Sequence, residues 1–184
     1  NSGANFPAIG IDDYTGDSVP DILNLNFRVQ ILANDGHGAF TETALLETDN
    51  VTVHALGADV DGDGDTDVVS ANPTSLIGPG SVSVVMNQGN GAFASPLNLK
   101  VSASPLAVAA GDLDGDGRLD IASLNYSPIS LSILLQKEPL TFTAAPLPLA
   151  EYSNLQDGIN AVSLQSVDMN GDGVINTIDV LLLR

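Results

Sequence analysis

Short runs of β-branched and apolar residues, each cut off by glycine, asparagine or aspartate, recur along most of this chain. Val51 to Ala58 reads V-T-V-H-A-L-G-A and is followed by an acidic turn. Asp67 to Ala71 (D-V-V-S-A) and Val82 to Met86 (V-S-V-V-M) continue the pattern. Asn87 to Gly91 forms a Gly-containing hairpin loop, and Ala92 to Val101 returns. Runs of this length and composition, bounded by turn residues, predict strands. Helical periodicity is absent from this stretch.

The same arrangement repeats. The hairpin I-L-A-N-D-G-H-G-A-F at Ile31 to Phe40 returns as V-V-M-N-Q-G-N-G-A-F at Val84 to Phe93, and in worn form as I-L-L-Q-K-E-P-L-T-F at Ile133 to Phe142. An acidic turn precedes each hairpin, ending at Asp21, Asp67 and Asp120, which lie 46 and then 53 residues apart. The chain therefore predicts three units, about 6–46, 47–99 and 100–149, each with four short antiparallel strands. Repeated four-stranded units of this size suggest an all-β fold of propeller-like blades. Rings need about four to eight blades, so three units predict a partial propeller, a fragment or a unit that assembles with more copies. No leader pattern opens the chain, which reads as starting inside a domain. Pro20 suits a strand start. Pro139, Pro146 and Pro148 are expected to thin out regular structure, with a boundary near Ala150. The recurring Phe40, Phe93 and Phe142 read as core.

Charge changes the picture. The 184 residues carry 23 acids and 5 bases, a net charge of -18, and 16 of the acids fall in four short segments. Such clustering, with 43% hydrophobic residues, points to sites on a folded domain and away from a disordered acidic tail. Without a basic patch, nucleic-acid binding is not expected. No apolar run reaches the roughly 18 residues of a membrane helix. There is no cysteine and only His37 and His54, which excludes disulfides and thiol chemistry and argues against zinc. Asn50-Val51-Thr52 and Asn125-Tyr126-Ser127 match glycosylation sequons, a pattern that mostly arises by chance.

Asp59 to Asp67 reads D-V-D-G-D-G-D-T-D and Asp112 to Asp120 reads D-L-D-G-D-G-R-L-D. Unpaired carboxylates this close repel one another, and a hard divalent cation removes the conflict. Calcium takes six to eight oxygens in flexible geometry, so it is the expected cofactor. In the second unit the candidate ligands are Asp59, Asp61, Asp63, Asp65 and Asp67, with Asp65 serving through its carbonyl. In the third they are Asp112, Asp114, Asp116, the Arg118 carbonyl and Asp120. Gly64 and Gly117 supply the sharp turn. An EF-hand would carry Glu at position 12, where these loops have Ser70 and Ser123. They are therefore strand–loop–strand sites. Weak calcium sites need millimolar calcium, which predicts an extracellular, secreted or surface, location.

The D-x-D-x-D-G-x-x-D loop and the N-x-G-x-G-x-F hairpin resemble FG-GAP or VCBS-type repeats, the integrin-alpha-like β-propeller family. The resemblance covers about Phe6 to Leu149. It implies a propeller with structural calcium loops on one face, in a secreted or surface protein. The first unit departs from the pattern: Asp13, Thr15, Asp17 and Asp21 would be ligands, but Thr15 is not a carboxylate and Ser18 replaces the turn glycine.

The last loop follows D-x-N-x-D-G-x-x-N-x-x-D through Asp168, Asn170, Asp172, the Val174 carbonyl, Asn176 and Asp179. It resembles the first calcium loop of a dockerin, whose partner is a cohesin, and implies an exiting helix that Thr177 would cap. Residues 151–184 are either this truncated module or the start of a fourth repeat. The expected role is a calcium-binding scaffold or binding module, not itself an enzyme, with a protein or carbohydrate ligand. The alternative is an accessory region of a secreted carbohydrate-active enzyme tethered through the dockerin-like segment. Catalysis on the acids themselves is disfavoured because the loops already use them.

Overall fold

The computed structural model describes residues 8–26, 28–75, 77–126, 129–148, 161–166 and 178–183. Three four-stranded antiparallel sheets follow one another along the chain. The first holds β1 (Ala8–Asp12), β2 (Asp21–Leu25), β3 (Val29–Asn34) and β4 (Phe40–Leu46). The second holds β5 (His54–Ala58), β6 (Asp67–Pro73), β7 (Gly80–Val85) and β8 (Leu97–Val101). The third holds β9 (Pro105–Gly111), β10 (Asp120–Asn125), β11 (Ser130–Glu138) and β12 (Thr141–Pro148). Each sheet is an up-and-down meander with strands in sequence order. The all-β, four-strand expectation holds, and no helix occurs among the described residues.

The sheets stack through their first strands, with β1 against β5, β5 against β9, and β9 against β13 (Ala161–Ser166). Burial follows from this order. In β2, with one face covered, buried and half-buried residues alternate, and Asp21, Leu23 and Leu25 point inward. The middle sheet is covered on both faces, so every residue of β7 and all but the last of β6 are buried. Two apolar cores lie between sheets. Leu23, Ile31 and Leu46 of the first sheet, with Tyr14 of its β1–β2 loop, pack with Ala55, Val68 and Val85 of the second. Val69, Val82, Val84 and Val101 of the second pack with Val108, Ile121 and Leu134 of the third.

This stacking corrects the expectation for the recurring phenylalanine. Phe93 packs onto the core between sheets one and two, and Phe142 onto the core between sheets two and three. Each thus reaches back to the preceding unit. Phe40 has no such unit among the described residues and is 46% exposed. Ile9 (69%) and Ile11 (71%) on β1 are exposed on the same face for the same reason, whereas Ala55 and Val108, the counterparts of Ile9, are buried.

The prolines are also placed differently from expectation. β12 runs through Pro146 to Pro148, paired with Ser132 and Ser130. It is the edge strand of its sheet, where a missing N–H can face away from the ladder. At the other end of the chain, Ile178–Leu183 forms a strand, β14, and not the expected helix. Its apolar run suits either form, and the antiparallel partner β13 decides the outcome. The carrying loop (Asp168, Asn170, Asp172, Val174 and Asn176) lies outside the described residues, and Asp179 falls within β14.

Two contacts between sheets carry predictions. A Cβ on Gly57 would lie 2.5 Å from the Tyr14 hydroxyl oxygen and 2.8 Å from Thr66 Cγ2. Gly57→Ala should therefore cost about 1–3 kcal/mol by overpacking. Urea unfolding checks this; pairing the change with Tyr14→Phe should recover part of the loss, and full wild-type stability in the single variant would contradict the contact. His54 on β5 accepts the Val108 N–H at 3.4 Å, and burial holds its pKa below the ordinary value. The fold thus favours neutral His54, and its contribution is complete above the unfolded-state pKa of about 6.5 and lost as pH falls below it. The gap in stability between wild type and His54→Gln should narrow from pH 7 to pH 5. A pH-independent gap would contradict this.

Candidate metal centres

The three acidic loops join the first and second strands of their sheets with a shared backbone. Counting Asp13, Asp59 and Asp112 as position 1, position 4 is glycine at φ 74, 80 and 78° in Gly16, Gly62 and Gly115. Position 6 is again left-handed: Gly64 at 95°, Gly117 at 85° and Ser18 at 66°. Ser18 therefore makes the same turn as the glycines, although a side chain there is strained. The position-1 carboxylate holds the turn closed. It accepts the position-4 N–H at 2.7 Å (Gly16), 2.8 Å (Gly62) and 2.7 Å (Gly115), and the position-6 N–H at 2.7 Å (Ser18), 3.1 Å (Gly64) and 2.9 Å (Gly117). At position 5, Asp17, Asp63 and Asp116 each accept the N–H two residues on.

Position 9 has a role that the sequence reading missed. Asp21, Asp67 and Asp120 are completely buried. One oxygen accepts the position-2 N–H, from Tyr14 (3.0 Å), Val60 (2.8 Å) or Leu113 (2.9 Å). The other accepts an N–H at the end of the third strand, from Asn34 (2.9 Å), Asn87 (2.8 Å) or Gln136 (2.8 Å). The carboxylate thus ties the loop to the hairpin that follows it in the same sheet.

The amide side chains of these partners complete the tie. Asn34, Asn87 and Gln136 each donate to the position-8 carbonyl, of Pro20, Thr66 or Leu119. Asn87 also donates to the Tyr14 carbonyl at 3.0 Å, and Gln136 to the Val60 carbonyl at 3.0 Å, so each clamps its own loop to that of the preceding sheet. The recurring amide at the head of each hairpin turn, Asn34, Asn87 and Gln136, is the signal that would have exposed this clamp.

Two loops gather carboxylates tightly. Oxygens of Asp59, Asp61 and Asp67 lie within 4.8 Å of one another, as do those of Asp112, Asp114 and Asp116. Opposite oxygens in a calcium shell are about 4.6–5.2 Å apart, twice the 2.3–2.6 Å bond length. Each carboxylate keeps lone pairs beyond those its backbone partners use. The donor sets therefore fit a hard, oxygen-seeking cation. Burial pushes the Asp67 carboxyl up to about 6, and burial with the neighbouring acids raises Asp61. A bound cation would relieve both.

The remaining candidates are less assembled. Asp63 and Asp65 line the second loop outside its three-residue group, and Asp120 stays at its anchoring post in the third. Arg118 occupies position 7, its Nε donating to the Gln136 carbonyl. In the first loop, Asp13, Asp17 and Asp21 do not converge as a group. Its position-3 residue, Thr15, has a buried hydroxyl oxygen without a hydrogen-bond partner.

Residues 59–123 match the family model of the FG-GAP-like repeat. The matched segment opens on the second loop, crosses β6 to β9 and closes just past the third. The FG-GAP-like stretch therefore contains both carboxylate groups, the intervening hairpin and the Asn87 clamp. No curated protein matches the chain.

Of the two sequons, Asn125 is 1% exposed and its side-chain nitrogen donates to Ser132 at 2.9 Å, so folding hides it. Asn50 is exposed. Neither histidine joins a carboxylate group: His37 turns back onto the Asp35 carbonyl in its hairpin, and His54 faces β9.

Proposed function

We propose that this chain is a calcium-stabilised β-propeller module of an extracellular protein, acting as a scaffold or binding unit, with calcium structural. The observation that carries the reading is the position of the loops. Each acidic loop is hydrogen-bonded to the hairpin of its own sheet, and two of the three are clamped to the next sheet as well. A cation at Asp59, Asp61 and Asp67, or at Asp112, Asp114 and Asp116, fixes the point where sheets meet. Bound calcium neutralises the carboxylates, and the chain's own groups orient them. The backbone N–H groups aim the position-1 and position-9 oxygens, and the left-handed glycines let the chain turn sharply between them.

The pairing of β13 with β14, and the place of β13 beside β9, favour a fourth repeat start over a docking helix at the C-terminal end. An extracellular setting supplies the millimolar calcium that exposed loops of this kind require. The test is calorimetric titration of the chain with calcium at millimolar concentration. Heat with two or more equivalents bound is expected. Absence of heat would overturn the reading.

A further inference from the structure

The two carboxylate groups are not equivalent. The second loop carries five aspartates, and among the described residues no lysine or arginine pairs with any of them. The third carries four, and two are already paired. Lys137 Nζ meets Asp114, and Arg118 Nη2 meets Asp116. Lys137 comes from the third hairpin, at the place that Gln88 holds in the second and Asp35 in the first. Only the worn copy of the hairpin brings a cation to its loop.

We propose that Lys137, with Arg118, is a built-in counter-ion that sets the metal affinity of the third loop below that of the second. The inference rests on the calcium reading above. A metal entering the third loop must displace an ammonium from Asp114 and a guanidinium from Asp116, two of the three carboxylates of its group. The second loop offers its oxygens with no competitor among the described residues. The loops then fill in order as calcium rises, second before third, and the third loop keeps two of its four carboxylates paired when calcium is withdrawn.

Calorimetric calcium titrations of the whole chain test this with Lys137→Met and with Lys137→Arg, which retains the charge. Asp61→Asn and Asp116→Asn assign the two classes of site. Wild type should show a tighter class lost in Asp61→Asn and a weaker class lost in Asp116→Asn. Lys137→Met should tighten only the weaker class, by about five- to tenfold, the effect of removing a unit charge a few ångströms away in a solvated setting. Lys137→Arg should leave it unchanged. Equal classes in the wild type, or a weaker class unmoved by Lys137→Met, would overturn the inference and leave the calcium reading standing. No binding in the wild type would overturn both.

Discussion

Asp120→Ala should destabilise the chain by roughly 2–6 kcal/mol, whether or not calcium is present. The carboxylate is fully buried and accepts the N–H groups of Leu113 and Gln136 at 2.9 and 2.8 Å. Alanine leaves both donors buried and unsatisfied, at about 1–3 kcal/mol each. Few single changes elsewhere in the chain would cost as much, because small domains have only about 5–15 kcal/mol in total. Asp120 lies outside the three-carboxylate group of its loop, which separates anchoring from metal binding. Urea unfolding in chelator reads the anchor alone. Asp116→Ala is the comparison: its side chain reaches the Arg118 guanidinium and the Arg118 N–H at the exposed turn, so in chelator it should cost well under half as much. Equal losses for the two variants in chelator would contradict the anchoring role.

Calcium itself should produce an effect of similar size. An ion that binds the folded loops and not the unfolded chain stabilises by about 2.7 kcal/mol per site at 100 times its dissociation constant. Two independent groups give roughly 5 kcal/mol, or a rise in melting temperature of about 10–20 °C for a chain of this length. The comparison is thermal unfolding in millimolar calcium against chelator, followed in Asp61→Asn. That variant removes an exposed donor of the second group whose hydrogen bond is a 3.2 Å contact with the Asp63 N–H. It should lose about half of the calcium effect and little of the chelator stability. A variant that keeps the whole calcium effect would place the ion elsewhere.

Much of this architecture was legible in the residues, because its signals are local. Strand runs, Gly-rich hairpins and the spacing of acidic loops each sit within about ten residues, and the three four-stranded sheets follow from them. Asp112, Asp114 and Asp116 are recognisable as a group for the same reason, whereas the second loop recruits Asp67 from position 9 in place of Asp63. What escaped the sequence depends on partners far along the chain. Asn87 meets the Tyr14 carbonyl across 73 residues, and Gln136 meets the Val60 carbonyl across 76. Asp67 and Asp120 looked like ordinary ligands until burial showed that they hold backbone donors. Phe40 matched Phe93 and Phe142 letter for letter, yet differs because its sheet has no neighbour on that face among the described residues. Ser18 broke the motif without breaking the turn, since the Asp13 carboxylate holds the left-handed backbone in place. The apolar run at Ile178–Leu183 suits helix and strand alike, so both a docking helix and a fourth repeat start fit the residues, and only its pairing with β13 separates them.

A cation held by the aspartate loops is proposed to lock neighbouring sheets together. Backbone amide exchange, followed residue by residue with calcium and with chelator, addresses it most directly. Calcium should slow exchange at Val60, Gly62 and Gly64, at the matching Leu113, Gly115 and Gly117, and at the anchored Asn87 and Gln136. Identical rates at these amides in calcium and in chelator would contradict it.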